Sequence, residues 1–249
     1  MTFLLCCLLC NNTFFSKTNP KQCTLTFSIK KPIIFSLFYN RSFILLFLLY
    51  IGQTDSSFNR NVGAPIPFIG TTLQSMNIML NIVTHNIDVL HSASDDVGIR
   101  NELYHVFSFL LEWCTTSSNA MSSTNNKIKE TSNIEILLEK TIILIGYYAR
   151  GSAERQQSLH YGSHPTPLQK LCNLPFKFFS LDSNKEILFP TLISICYNDI
   201  RNRNVIEDEI SIQMLSEFIK ERTEEETSNT FRTRFPKQMW KDALEFFKD

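Results

Sequence analysis

The chain has 249 residues, with 24 Lys/Arg and 24 Asp/Glu, so its formal net charge is zero. That balance excludes a global field that would draw in nucleic acid or another polyanion. Seven glycines and long apolar-periodic stretches exclude a β-rich or loop-rich framework and favour an all-α protein.

The charge is unevenly placed. Residues 1–56 hold five Lys/Arg and one Asp, and residues 57–249 hold the remaining nineteen and twenty-three. The N-terminal part is also crowded with Phe, Leu and Cys, including Cys6, Cys7, Cys10 and Cys23. The apolar run Phe3 to Cys10 has no basic residue before it, so it makes a poor signal peptide. A second run, 33–51, is long enough to span a bilayer at about 1.5 Å per residue. Its thirteen Ile, Leu or Phe contribute roughly −4 to −8 kcal/mol to insertion, against about +2.5 to +3.5 for the central Arg41. Residues 1–56 admit two readings: a membrane or interfacial segment, or translated non-coding, AT-rich sequence forming no part of the domain. Cys7 and Cys10 have a metal-like spacing, but leucines lie between them and no partner pair exists, so no zinc site is expected. The odd, scattered cysteine set fits a reducing compartment.

Beyond the linker Gln53 to Pro67 the pattern becomes helical. Thr71 or Thr72 is expected to cap a helix running to His91, with Leu73, Met76, Met79, Leu80, Val83, Ile87 and Leu90 inward. Ser94, with Asp95 and Asp96 in the first turn, starts a second helix to about Trp113. Residues 115–131 are polar and low in complexity and read as a mobile loop. Ser132 and Glu135 form a capping-box signal for a third helix to Arg150. Its run Thr141 to Tyr148 is apolar all round, which places that helix centrally.

Residues 163–180 are dense in landmarks. Thr166 reads as an N-cap, Pro167 as the first helical residue, and Leu168, Leu171 and Cys172 as an inward face ended by Pro175. Ser183 and Glu186 suggest another capping box, with a kink at Pro190 and a second piece to Tyr197. Asn204 and Glu207 start a helix to Arg222. Residues 221–234 read as a solvated charged stretch, and Pro236 opens a last helix carrying Trp240, Leu244 and Phe247. The expected fold is therefore an armadillo/HEAT-like helical solenoid fragment of about seven helices, with a compact helical bundle as the alternative.

No catalytic constellation emerges. His160 and His164 are four apart, but no Glu follows His160 and Gly162 interrupts the helix a zinc motif needs. Cys172 and His164 could form a nucleophile pair, yet Cys172 lies in an apolar run and reads as a buried thiol. Glu207, Asp208 and Glu209, and Glu224, Glu225 and Glu226, read as solvated faces. No phosphate loop, dinucleotide fingerprint or nucleophile elbow occurs, and basic residues do not interleave with aromatics. No enzyme activity, cofactor, metal site or nucleic-acid groove is expected.

Five strings carry a resemblance. They are Gly146-Tyr147-Tyr148, His164 to Ser180, Leu188 to Asp199, Glu207 to Ser211, and Arg234 to Phe247. With spacing intact, they resemble the C-terminal region of the SCAPER family, the S phase cyclin A-associated proteins of the endoplasmic reticulum. The likeness runs from about 145 to 249, more loosely over 57–144, and leaves out 1–56. It implies a non-catalytic helical adaptor or scaffold, cytoplasmic and associated with the endoplasmic reticulum. It also implies links to cyclin A and to tubulin mRNA autoregulation. The partners it implies are a ribosome-associated tubulin-recognition factor and a deadenylase complex. By that standard the chain corresponds to a fragment, without the family's charged middle, zinc-finger-like segment or N-terminal domain. No Arg-x-Leu docking tripeptide is present. A small membrane-anchored helical protein, held by 33–51, is the competing reading.

Overall fold

The computed structural model describes residues 66–121, 128–224 and 234–248. The 33–51 candidate span, the four N-terminal cysteines, residues 122–127 of the expected loop, and Glu225 and Glu226 lie outside the described residues. Among those described, eleven α-helices and one 3-10 turn occur and no strand does, so the all-α expectation holds. The count exceeds seven because two expected helices are each divided, at Asn86 and at Ile210, and because short helices occupy connections at 153–158 and 177–180.

α1 spans Ile66–His85, beginning ahead of the expected Thr71 or Thr72 cap. Thr72 is instead fully buried within the helix. The expected single helix to His91 is cut at Asn86, whose Oδ1 accepts from the Asp88 amide at 3.1 Å. That local bond offers the backbone an alternative to the helix ladder and starts α2, Asp88–Ser94. α3 spans Val97–Met121. Its cap is Asp96, whose Oδ1 accepts from the amides of Gly98 and Ile99 at 2.9 and 3.3 Å. Ser94 is buried and bonds back to the His91 carbonyl instead. α3 also runs eight residues past Trp113. There Thr115 satisfies its hydroxyl on the Leu111 carbonyl without leaving the helix.

α4, Ile128–Ala149, is the centre of the domain. It begins four residues ahead of the expected Ser132 cap. Ile142, Leu144, Ile145, Tyr147, Tyr148 and Ala149 are all buried, as the uniformly apolar run requires. Each large apolar side chain sequestered there contributes about 1.5–3 kcal/mol relative to exposure. α1 and α3 pack on α4 from one side of the sequence. From the other side comes α8, Asp182–Cys196. Helices remote in sequence thus share one central partner, the arrangement of the compact-bundle alternative.

Four short helices fill the connections. They are α5 (Ala153–Ser158), α6 (Pro167–Cys172), α7 (Lys177–Ser180) and α9 (Ile200–Glu209). α6 begins as its sequence dictates. Thr166 Oγ1 accepts from the Gln169 amide at 3.3 Å while Gln169 Oε1 accepts from the Thr166 amide at 3.1 Å. α8 does not break at Pro190 and its start is not capped by Ser183, since Leu181 precedes it without a side-chain bond. The expected Asn204–Arg222 helix is two. α9 is capped by Asp199, the chain turns extended at Ile210, and α10 spans Gln213–Glu224. Pro236 leads into a 3-10 turn, Lys237–Met239, before α11, Trp240–Phe246.

Candidate functional site

The most elaborate polar arrangement lies where α4 and α8 end. A helix leaves its last four carbonyls without intrahelical donors. α4 closes through Gly151, whose φ of +71° suits the left-handed position past a helix end. The Tyr147 carbonyl then accepts from His91 Nε2 at 3.0 Å. Tyr148 and Arg150 carbonyls accept from Arg155 Nε and Nη2 at 2.9 and 3.4 Å. Arg155 is buried and also reaches the exposed Asp95 carboxylate at 3.2 Å. Burial lowers its pKa and Asp95 opposes that shift.

α8 ends in the same neighbourhood. Asn198 takes the left-handed position, with φ of 65°. Asp199 then starts α9 by accepting from the Asn202 amide at 3.0 Å. Gln156 Nε2 donates to both Ser194 and Tyr197 carbonyls at 2.9 Å. Asn202 Nδ2 donates to the Gln156 and Ile195 carbonyls at 3.0 and 3.1 Å. One amide side chain therefore serves two carbonyls of the α8 end, and a second ties α5 to α8 and α9. A small cavity of about 200 Å³ remains beside them, lined among others by Arg150, Gln156, Tyr197 and Phe235. Among the described residues, its lining has no thiol and no carboxylate.

The third member is Arg234, placed by sequence in a solvated stretch but fully buried in the fold. Its Nη1 donates to the Ile187 carbonyl at 2.6 Å and to Thr191 Oγ1 at 3.0 Å. Its Nη2 donates to the Glu186 carbonyl at 2.5 Å. Thr191 Oγ1 in turn donates to the Ile142 carbonyl of α4 at 2.9 Å. α4 and α8 meet closely here because position 146 is glycine. A Cβ there would lie 2.6 Å from Thr191 Oγ1 and 3.3 Å from Arg234 Cδ. Three of the strings singled out by sequence, around Gly146, Thr191 and Arg234, thus meet at one point. Sequence alone could not have placed Arg234 there, because its acceptors lie more than forty residues away.

The sequence candidates for chemistry do not assemble. Cys172 is buried and its thiol is pushed up to about 12 by desolvation, with Glu209 adding to the shift. His164 is exposed and its Nδ1 faces Gln169 Oε1 at 2.9 Å, so it orients the α6 corner. Among the described residues no hydrogen bond joins Cys172 to His164, and no group of three His, Cys, Asp or Glu could hold a metal ion. Burial also raises the thiols of Cys114 and Cys196. Thr166, in the single Thr-Pro dipeptide, is fully buried as a cap. Glu207, Asp208 and Glu209 are exposed, and Glu209 lies 3.5 Å from the side-chain amides of Gln169 and Asn173. No described helix is long and apolar enough to cross a membrane.

A second concavity, a shallow groove of about 530 Å³, runs between α3 and α5. Val97 and Tyr161 are largely exposed on its walls. Gly162 forms its floor with φ of +108°, and a Cβ there would strike the Tyr104 hydroxyl at 2.1 Å.

Fold and site together define a class: an all-α domain whose buried polar side chains serve the ends and interruptions of its helices. No protein-family profile matches the chain. Among curated proteins, it is similar to the human S phase cyclin A-associated protein in the endoplasmic reticulum. The two are 29% identical over an alignment of 197 positions, and the match covers 72% of this chain and 13% of that protein. The likeness carried by the five strings is therefore found across most of the chain, as a partial and distant match. The chain spans only about an eighth of its relative's length.

Proposed function

We propose that this chain is a non-catalytic helical adaptor module that binds protein partners. The observation that supports it is the 197-residue similarity to a protein whose name records association with cyclin A and with the endoplasmic reticulum. The buried thiols agree with a lack of nucleophilic chemistry, since a thiol pushed up to about 12 is protonated at neutral pH. The finer form of the proposal places the module on ribosomes, between a tubulin-recognition factor and a deadenylase complex. In that setting it works at the cytoplasmic side of the endoplasmic reticulum.

Sedimentation of the full chain with ribosomes from tubulin-translating lysate tests the finer form. Wild type and Cys172→Ala are both expected to enter the ribosomal pellet, and salt-washed ribosomes lacking the recognition factor are expected to lose them. Absence from the pellet sinks the ribosomal form. A catalytic role requires that Cys172→Ala abolish an activity while thermal stability stays near wild type, and that result overturns the adaptor reading itself.

A further inference from the structure

Arg234 is the one fully buried arginine of the described fold, and neither the adaptor reading nor the helix-end network explains why an arginine must stand there. The reason lies in α8. Pro190 sits inside that helix and has no N–H. The carbonyl four residues back, Glu186, therefore lacks the amide donor that a regular helix would place at position 190. A carbonyl withdrawn from water without a donor is destabilising, and this one is part-buried. Arg234 Nη2 donates to that carbonyl at 2.5 Å, and Nη1 to the next one, Ile187, at 2.6 Å.

We propose that the interruption of α8 at Pro190 is a guanidinium-binding socket, and that Arg234 is its ligand carried in cis, setting the C-terminal segment in register on the domain. Four features make the socket selective for that chemistry. Two successive main-chain carbonyls match the two terminal nitrogens of one planar fork, which a single ammonium cannot span. Thr191 Oγ1 receives Nη1 because its own proton is committed to the Ile142 carbonyl. Gly146 leaves the room that a Cβ would take from both Thr191 and the Arg234 stem. The Glu186 carboxylate, which pairs with Arg222 of α10, sets a negative charge near the buried cation. Burial lowers the guanidinium to about 10, so it stays protonated at neutral pH and remains a full donor.

The socket also accounts for the contacts of the chain beyond Arg234. Ser194 Oγ lies 3.4 Å from the Arg234 carbonyl, and Trp240 Nε1 donates to the Phe235 carbonyl at 3.1 Å. The Phe235 and Phe246 rings then meet Tyr197 edge-on at centroid distances of 5.3 and 5.9 Å. The contacts to Ser194 and Tyr197 hold the segment after Arg234 against the same helix that receives the guanidinium.

A double-mutant cycle on the full chain tests the pairing. Pro190→Ala gives α8 an amide that competes with Arg234 for the Glu186 carbonyl. Arg234→Met is expected to lower the folding equilibrium constant roughly a hundredfold when Pro190 is present. In the Pro190→Ala background the loss should be smaller by at least about tenfold. Arg234→Lys is expected to behave much like Arg234→Met. Equal penalties in the two backgrounds, or full rescue by lysine, overturn the socket. If Arg234→Met does not fold, hydrogen exchange of Pro190→Ala alone decides. Amides of 235–247 are expected to exchange at least about tenfold faster than in wild type, with α6 unchanged. Unchanged exchange in 235–247 refutes the proposal.

Discussion

The junction at the ends of α4 and α8 and the corner at 163–180 are both dense in polar residues set among apolar ones, and they work in opposite ways. At the corner the partners are local. Thr166 and Gln169 bond each other across three residues, and His164 reaches Gln169 across five. At the junction they are remote. Gln156 reaches Ser194 and Tyr197 across 38 and 41 residues, and Arg234 reaches Glu186 across 48. The corner's bonds form whenever the local chain turns, and its histidine remains in water. The junction's bonds need helices remote in sequence to be docked, and Gln156, Asn202 and Arg234 are buried there. Local polar pairing punctuates the chain, whereas remote polar pairing specifies which helices belong together.

The difference can be broken from the junction side. Gln156→Leu keeps the volume and removes the donor shared by the Ser194 and Tyr197 carbonyls. Both then remain buried without that partner, and the expected loss of stability is roughly 2–4 kcal/mol by urea unfolding. A loss as small as a surface substitution would show that water replaces the amide and that the junction is no more specifying than the corner.

The corner should respond less. Thr166→Val keeps the buried shape and removes the cap oxygen, for an expected loss of about 1 kcal/mol. Lys170 of the same helix remains bonded to Ser108 and Glu112 of α3, so α6 stays docked. A Thr166 loss equal to that at Gln156 would erase the distinction between the two regions.

This contrast accounts for what is legible in the sequence. The cap at Thr166, a helix end ahead of Pro175 and the central place of Thr141 to Tyr148 are readable because propensity, turn chemistry and hydrophobic period are local signals. The helix splits at Asn86 and Ile210 are hidden, since the apolar period continues through both. Pro190 reads as a kink by the rule that proline breaks helices. The helix persists because Arg234 supplies the missing donor from a distant segment. Arg234 itself escapes a sequence reading for the same reason, as its acceptors Glu186, Ile187 and Thr191 lie more than forty residues away. The thiol of Cys172 reads correctly as core, because the leucines beside it are also buried.

The smallest expected effect concerns pH, and it sharpens the comparison by separating two histidines. His91 belongs to the junction. Burial lowers its pKa from the ordinary 6.5, and Arg155 and Arg150 push the same way. The bond to the Tyr147 carbonyl and the charge of Asp88 oppose them. Since Nε2 faces a carbonyl, the neutral ring carries its proton there and donates. The folded protein therefore binds a second ring proton less readily than the unfolded chain. The contribution is fully present above the unfolded value and is lost as pH falls through 6.5 toward the lowered folded value. His91→Gln keeps a donor for Tyr147 and cannot titrate. The stability of wild type relative to His91→Gln should accordingly decline between about pH 7.5 and pH 5.5. His164→Gln, at the solvent-exposed corner, provides the matched control in the same titration. A difference that grows on acidification would mean that His91 gains rather than loses protons on folding, so that the Tyr147 carbonyl and Asp88 outweigh burial.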